Sequence, residues 1–467
     1  MDPGPRSRTQ VLAALEPPIQ ALDREAVITH TDALYRLHSE PYAIQKQLNP
    51  AVVLVPDTVE QLTAIVKFLY GSNLDFVIRG HGFKPPPPAR HVVVSMLKFK
   101  DLDYDPVKKI ATIGASATWF EVVSFMEQVD PEYSVSVTIL NGGLSWMSTE
   151  YGAISDPINF LDAEVVKYDG TVVMTSQEPG LLWALRGGGG GVGVVTKVLL
   201  RAHPYPTDIW SGMVLVPRKL LPQLVDKMYA FNHSVPHPKV NYFAYLLPKK
   251  LLATVLESDE PGAEDSVVFH VYDALGEKHG RDVFQWLLQM PGAIDRTRVT
   301  NMKGTLETQR NAAALRGTMR TLYAPMAVAD MDQRVITRAI EFYYKIRQLD
   351  ESTHIMSAVI FEFLSFRSTI GGTSEVAWPR SNGLNHLLLF IFSGPGDGPQ
   401  GQEKILRQLS EDAPRHVLGS KAGDAEINPA GLEPDYHDVK GVYREHYEKL
   451  VELRRHYDPD NRFKSFF

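Results

Sequence analysis

The chain contains no cysteine. Disulfides, thiolate metal sites, cysteine nucleophiles and cysteinyl links to a cofactor are therefore excluded. It has no excess of positive charge either: 48 Lys and Arg against 55 Asp and Glu leave a net charge of -7. Nucleic acids and anionic membrane surfaces, which call for clustered basic residues, are not expected partners; a small molecule or another protein is. Long apolar runs are also missing. Nothing reaches signal-peptide or membrane-span length, so a cytoplasmic protein is expected. There is no His-Glu-x-x-His or similar metal spacing, no P-loop, and no G-x-G-x-x-G in a strand-turn-helix setting.

What is present is glycine in three clusters: Arg79-Gly-His-Gly82, Asn141-Gly-Gly-Leu-Ser145 and Gly187 to Gly191 with Gly193. Any one of them could be turn chemistry. Three together favour a ligand with phosphates, whose oxygens suit backbone N–H nests. The text around them alternates strands and helices. Val52–Val55 reads as a strand, and Thr58 with Gln61 as a capping box opening a helix with Leu62, Ile65, Val66 and Leu69 on one face. Phe76–Arg79 completes a βαβ unit. Val92–Met96 and Ile110–Gly114 read as strands, Thr118 with Glu121 as a second capping box, and Asp169-Gly170 as a hairpin turn. After about residue 205 glycine thins out. Strands near 241–247, 266–272, 355–363 and 385–392, with a helix over 334–347, predict an antiparallel sheet covered by helices. The length of 467 residues calls for two domains.

The order and spacing of these segments resemble the p-cresol methylhydroxylase/vanillyl-alcohol oxidase superfamily, and specifically the fungal berberine bridge enzyme-like oxidoreductases. The matching text is Val55-Pro-x-Thr58, Val77-Ile-Arg-Gly80, Gly142-Gly143-Leu144-Ser145 with Ser148, Tyr151-Gly152 and Asp156, Ala163-Glu-Val-Val166, Leu182 to Gly189 leading to Gly193, and the closing Tyr443-x-x-x-Tyr447 and Tyr457-Asp-Pro-x-Asn461. The resemblance implies an α+β, two-domain flavoprotein: an FAD-binding domain over 1–205, a substrate domain over 206–430, and a segment over 431–467 that returns to the first. It implies FAD as cofactor, with Arg79, Gly80, His81, Gly82 and Phe83 in the first flavin loop and Gly142 to Ser145 in the second. Asp156 follows the second loop, and Gly193, Val194 and Val195 lie on the adenine side.

The departures from the family pattern all touch the same ligand. Counted from Arg79, the histidine that joins the flavin is replaced by Phe83, which cannot form that bond, and His81 stands two residues early. Both loops are shorter than in the family, and four prolines follow Lys84. With Phe83 in that place and no cysteine the expectation is a noncovalent flavin, and because each backbone donor lost to a pyrophosphate costs about 1.5–3 kcal/mol, a weakened one. Family chemistry is hydride removal to flavin with a side chain taking the proton. Glu362 shares a strand face with Met356, Ala358 and Ile360 and is a base if buried, or an ion-pair partner if it reaches the sheet edge. His386 and Tyr443 are the other candidates, with capping and core packing as their alternatives, and Trp146 either walls the pocket or fills the core. The leading expectation is an FAD-dependent oxidoreductase acting on a small natural product in secondary metabolism. A redox-neutral isomerase or cyclase of Diels–Alder type on the same fold, with FAD binding weakened or lost, is the alternative, and a nonenzymatic binding protein the third.

Overall fold

A computed structural model describes residues 6–20, 22–82, 88–136, 146–234, 237–249, 251–252, 265–308, 316–353, 356–364, 373–378, 386–419, 426–427, 429, 432–433 and 437–465. Three sheets organise them. The first is built from β1 (Val27–Ile28), β2 (Val52–Leu54), β3 (Phe76–Arg79) and β4 (Val92–Ser95) in the order β1-β2-β4-β3. β2, β4 and β3 run parallel. Parallel strands need a crossover, and helix Val59–Gly71 carries the chain from β2 to β3 on the far side of β4, burying the expected Leu62, Ile65, Val66 and Leu69. The capping box expected at its start is half formed. Thr58 Oγ1 accepts from the Gln61 N–H, but the Gln61 side chain reaches back to the Asp57 N–H instead of Thr58. At helix Trp119–Val129 the box of Thr118 and Glu121 closes in full.

The second sheet has β5 (Leu102–Asp105), β6 (Ile110–Gly114), β7 (Tyr133–Val135), β8 (Phe160–Val166), β9 (Val172–Met174) and β10 (Val194–Pro204). Its order is β5-β6-β10-β8-β9, with β7 also on β10. Asp169-Gly170 turns the β8–β9 hairpin with Gly170 at φ +85°. At the head of β10, Gly193 has φ +137°, and a Cβ there would sit 2.5 Å from Val165 Cγ1, so only glycine fits.

The third sheet is antiparallel throughout: β11 (Ile209–Pro217), β12 (Val240–Leu246), β13 (Ser266–Asp273), β14 (Ile294–Thr300), β15 (Met319–Val328), β16 (Met356–Phe363), β17 (His386–Pro395) and β18 (Glu426–Ile427). The order is β14-β11-β13-β12-β16-β17-β15-β18. Helices Leu221–Ser234, Gln333–Thr353 and Gln402–Leu418 cover one face, sealing Trp210, Tyr242, Phe269, Phe361, Phe363 and Phe390. The other face meets the first half of the chain, where Val122, Met126, Trp146 and Met147 pack with Phe243, Tyr272, Ile360 and Leu387.

The C-terminal helix Tyr447–Tyr457 docks on helix Pro179–Leu185. The third glycine cluster is explained here. A Cβ on Gly188 would lie 2.8 Å from Leu450 Cδ1, and one on Gly191 would strike Arg454 and Ser465. Gly188 and Gly191 admit the returning segment. Among the described residues no helix is long and apolar enough to cross a membrane, and no cluster of His, Cys, Asp and Glu could hold a metal.

Candidate active site

Residues directly opposed across antiparallel strands share a face. The register therefore lines up Met213, His270, Phe243, Glu362 and Leu387 in one row on the face turned toward the first half of the chain. Strand alternation adds Ala358 and Ile360 beside Glu362, while Val359, Phe361 and Phe363 enter the helix-side core. Glu362 is 7% exposed. Its carboxyl has no hydrogen-bond or ion-pair partner among the described residues, and burial alone pushes its pKa up to about 8.

On the same face Met213, Tyr245, Tyr323, Met356, Leu389 and Ile391 keep partial exposure, whereas Val214, Ala244, Leu322, Leu388, Phe390 and Phe392 on the other face are buried. The face is thus incompletely filled and mostly apolar. Trp146 closes one end, stacked on Phe243 at 4.3 Å and on Tyr272 at 5.1 Å, with its indole N–H buried and unpartnered. His270, which the sequence reading did not single out, meets the Trp146 ring edge-on at 4.8 Å, and burial pulls its pKa down to about 3. Its Nε2 lies 3.3 Å from Ser211 Oγ and 3.2 Å from Thr308 Oγ1. It therefore stays neutral at any ordinary pH. Alternation along Ser266–Asp273 combined with pairing to β12 would have placed it, but pairing is not written in the strand itself.

The first glycine loop leaves β3 at Arg79. That guanidinium turns inward, donating to the carbonyls of Leu37 at 3.2 Å and of Glu40, and burial lowers its pKa to about 10. The N–H groups of Gly80, His81 and Gly82 have no partner among the described residues. Ser116 Oγ, buried and likewise unpartnered, lies 3.5 Å from where a Gly80 Cβ would be. Gly82 has φ +66°, and a Cβ on it would come within 2.7 Å of Arg79 Nε. Three N–H groups without a partner among the described residues and an orphaned hydroxyl, with glycine on either side of His81, fit the oxygens of a pyrophosphate. His81 Nε2 donates to the Ser116 carbonyl at 2.9 Å.

The remaining candidates separate. Phe83 and Gly142, Gly143, Leu144 and Ser145 lie outside the described residues. Ser148 is buried at the start of helix Ser148–Tyr151, and Gly152, at φ +78°, accepts from Ser136 Oγ at 3.2 Å. Asp156 is fully buried and caps the Ala153 N–H at 3.0 Å. Val194 and Val195 pair with β8, whereas pairing with β6 begins only at Lys197, so no described strand pairs the β6-side edge at Gly193–Val195.

The acid–base candidates do not converge. Because Leu387, not His386, stands opposite Glu362, His386 lies on the helix side, stacked on Phe363 at 4.8 Å with its pKa driven to about 3 by burial. Tyr443 sits in the C-terminal core with Trp183 and Trp378 and donates to the Gly187 carbonyl at 3.3 Å, burial holding its phenol well above the usual range. Of the three, Glu362 alone faces the incompletely filled wall.

Comparison with known proteins bears on the fold and the cofactor domain. Residues 50–176 match the FAD binding domain family. An FAD-dependent monooxygenase of Fusarium proliferatum is 26% identical over 284 residues, 56% of this chain and 52% of that protein. (R)-6-hydroxynicotine oxidase of Paenarthrobacter nicotinovorans is 23% identical over 448 residues, covering 85% of this chain and 86% of the oxidase. A variant of berberine bridge enzyme solved with (S)-reticuline superposes at a TM-score of 0.73 and 15% identity over 97% of both chains. The match spans about half or less of the first curated fungal relatives, at 52%, 42% and 39% of their lengths.

Proposed function

The chain has the two-domain α+β fold of the berberine bridge enzyme-like flavoproteins and carries an FAD-binding domain, and from that premise we propose an FAD-dependent oxidoreductase acting on a small, mainly apolar natural product, with its flavin held noncovalently. The observation that carries the reading is Glu362, a buried carboxyl without a partner on an apolar, incompletely filled wall. An unpaired carboxyl is costly to bury, and such groups cluster at functional sites.

FAD, when bound, supplies the hydride acceptor. The Gly80, His81 and Gly82 N–H groups and the Ser116 hydroxyl would hold its phosphate oxygens, and the β6-side edge at Gly193–Val195 its adenine side. The chain's own part in the chemistry is proton transfer at the Glu362 carboxyl. With a pKa of about 8, roughly one carboxyl in ten is ionised at pH 7, and that fraction is a far stronger base than a solvated glutamate. Tyr245, Leu389 and Ile391 exclude water from the substrate and favour apolar ring or chain surface. His270, neutral throughout, orients by hydrogen bonding and carries no charge.

An absorbance spectrum of the purified protein, followed by denaturing extraction, tests the proposal. Flavin absorbance, present as purified or gained on adding FAD and released by denaturation, is expected. A colourless protein that gains none would refute the oxidoreductase and leave redox-neutral chemistry to the fold.

A further inference from the structure

The first glycine loop is tied at its back to residues far away in the sequence. The His81 carbonyl accepts from Arg316 Nη1, and the Gly82 carbonyl accepts from the Tyr42 N–H at 2.8 Å. The same segment carries the tie onward: the Gly317 N–H donates to the Tyr42 carbonyl at 2.9 Å, Ala43 bridges Met319, and the Gln45 amide bonds the backbone of Thr321 in both directions at 2.7 and 3.1 Å. Gly317 has φ +67°, and a Cβ there would collide with the Glu40 carboxylate, so glycine is what lets Arg316 come this close.

In a planar trans peptide the carbonyl and the following N–H point in opposite directions. Fixing the His81 carbonyl on Arg316 therefore aims the Gly82 N–H away from Arg316. A flipped peptide would present an oxygen there instead, repelling a phosphate. Resting on the FAD reading above, we propose that Arg316, from the edge of the third sheet, is a positioning residue that holds the His81–Gly82 peptide in its anion-binding orientation, so that cofactor affinity is set in part from the substrate side of the molecule.

FAD titration of flavin-stripped protein tests this in the parent, Arg316→Gln and Arg316→Lys, with the melting temperature of each flavin-free protein recorded alongside. Losing one donor to an anion weakens binding by about tenfold to a hundredfold. That rise in Kd is expected for Arg316→Gln, with part of it recovered in Arg316→Lys and flavin-free melting close to the parent's. Parent-like affinity in Arg316→Gln overturns the proposal, whether or not that variant melts earlier. A parent that binds no FAD takes the oxidoreductase reading down with it, an outcome recognised before any variant is made.

Discussion

Replacing Glu362 by glutamine separates what the carboxyl does for stability from what it does for turnover. Its folded pKa of about 8 stands against an ordinary 4.5. The unfolded chain releases the proton near pH 4.5 and the folded chain only near 8, so stability is fully present below the lower value and is lost as pH rises toward the upper one. At pH 7 this amounts to about 3 kcal/mol, at 1.4 kcal/mol per tenfold. Glutamine keeps the shape and cannot ionise. The variant is therefore expected to gain on the parent in thermal melts as pH rises from 5 to 8, with the gap levelling off above 8. An unpaired glutamine amide adds a cost of about 1–3 kcal/mol that does not change with pH, so the slope, not the offset, is diagnostic. Turnover moves the other way: a lost general base costs about 10²- to 10⁴-fold in kcat, and the parent's own rate climbs with pH through about 8. Melting differences that stay flat from pH 5 to 8 would refute the burial argument, and unchanged turnover would refute the catalytic one.

Tyr443→Phe removes one hydrogen bond to the Gly187 carbonyl. It should cost about 1 kcal/mol in denaturant melts and leave kcat within a few-fold, since the phenol belongs to the C-terminal core; a loss of turnover comparable to that of Glu362→Gln would return it to the active site. Thr118→Ala opens the complete capping box on helix Trp119–Val129, for an expected loss of about 1 kcal/mol, whereas Thr58→Ala should cost less because its box is half formed; paired chemical denaturation checks the order. Gly193→Ala forces a side chain onto φ +137° against Val165. A loss of about 1–3 kcal/mol or more is expected, and soluble protein with unchanged melting would show that β10 can shift to accept it.

The first half of the fold was legible because its signals are local. Capping residues, the Asp169-Gly170 turn and the apolar face of Val59–Gly71 each act within a few positions of themselves, and they fell where the text put them. The third sheet was half legible. Strands β11, β14 and β15 escaped notice because their alternation is blurred by burial on both faces or by charges such as Arg296 and Arg298, and their place comes from pairing with strands far along the chain. Part of the third glycine cluster has a related explanation. Close approach looks the same in sequence whether a phosphate or a helix approaches, and at Gly188 it is the helix carrying Leu450.

The same distinction governs the candidate site. Glu362 could be placed on an apolar face from its own strand, since alternation is local. That His386 turns to the other face depends on a one-residue register between β16 and β17, and a slip of one residue exchanges every side chain between faces. His270 was invisible for the converse reason: it joins Glu362 only through two strand pairings, with Phe243 between them. The first loop shows the same dependence on distance. Arg79-Gly-His-Gly82 shows by composition a turn open to close approach, yet a donor to its His81 carbonyl comes from Arg316, 235 positions later. The short motif states which groups are available, and the long-range contact determines which way they point, so substitutions outside the motif are where affinity for the cofactor can be tuned without altering the loop itself.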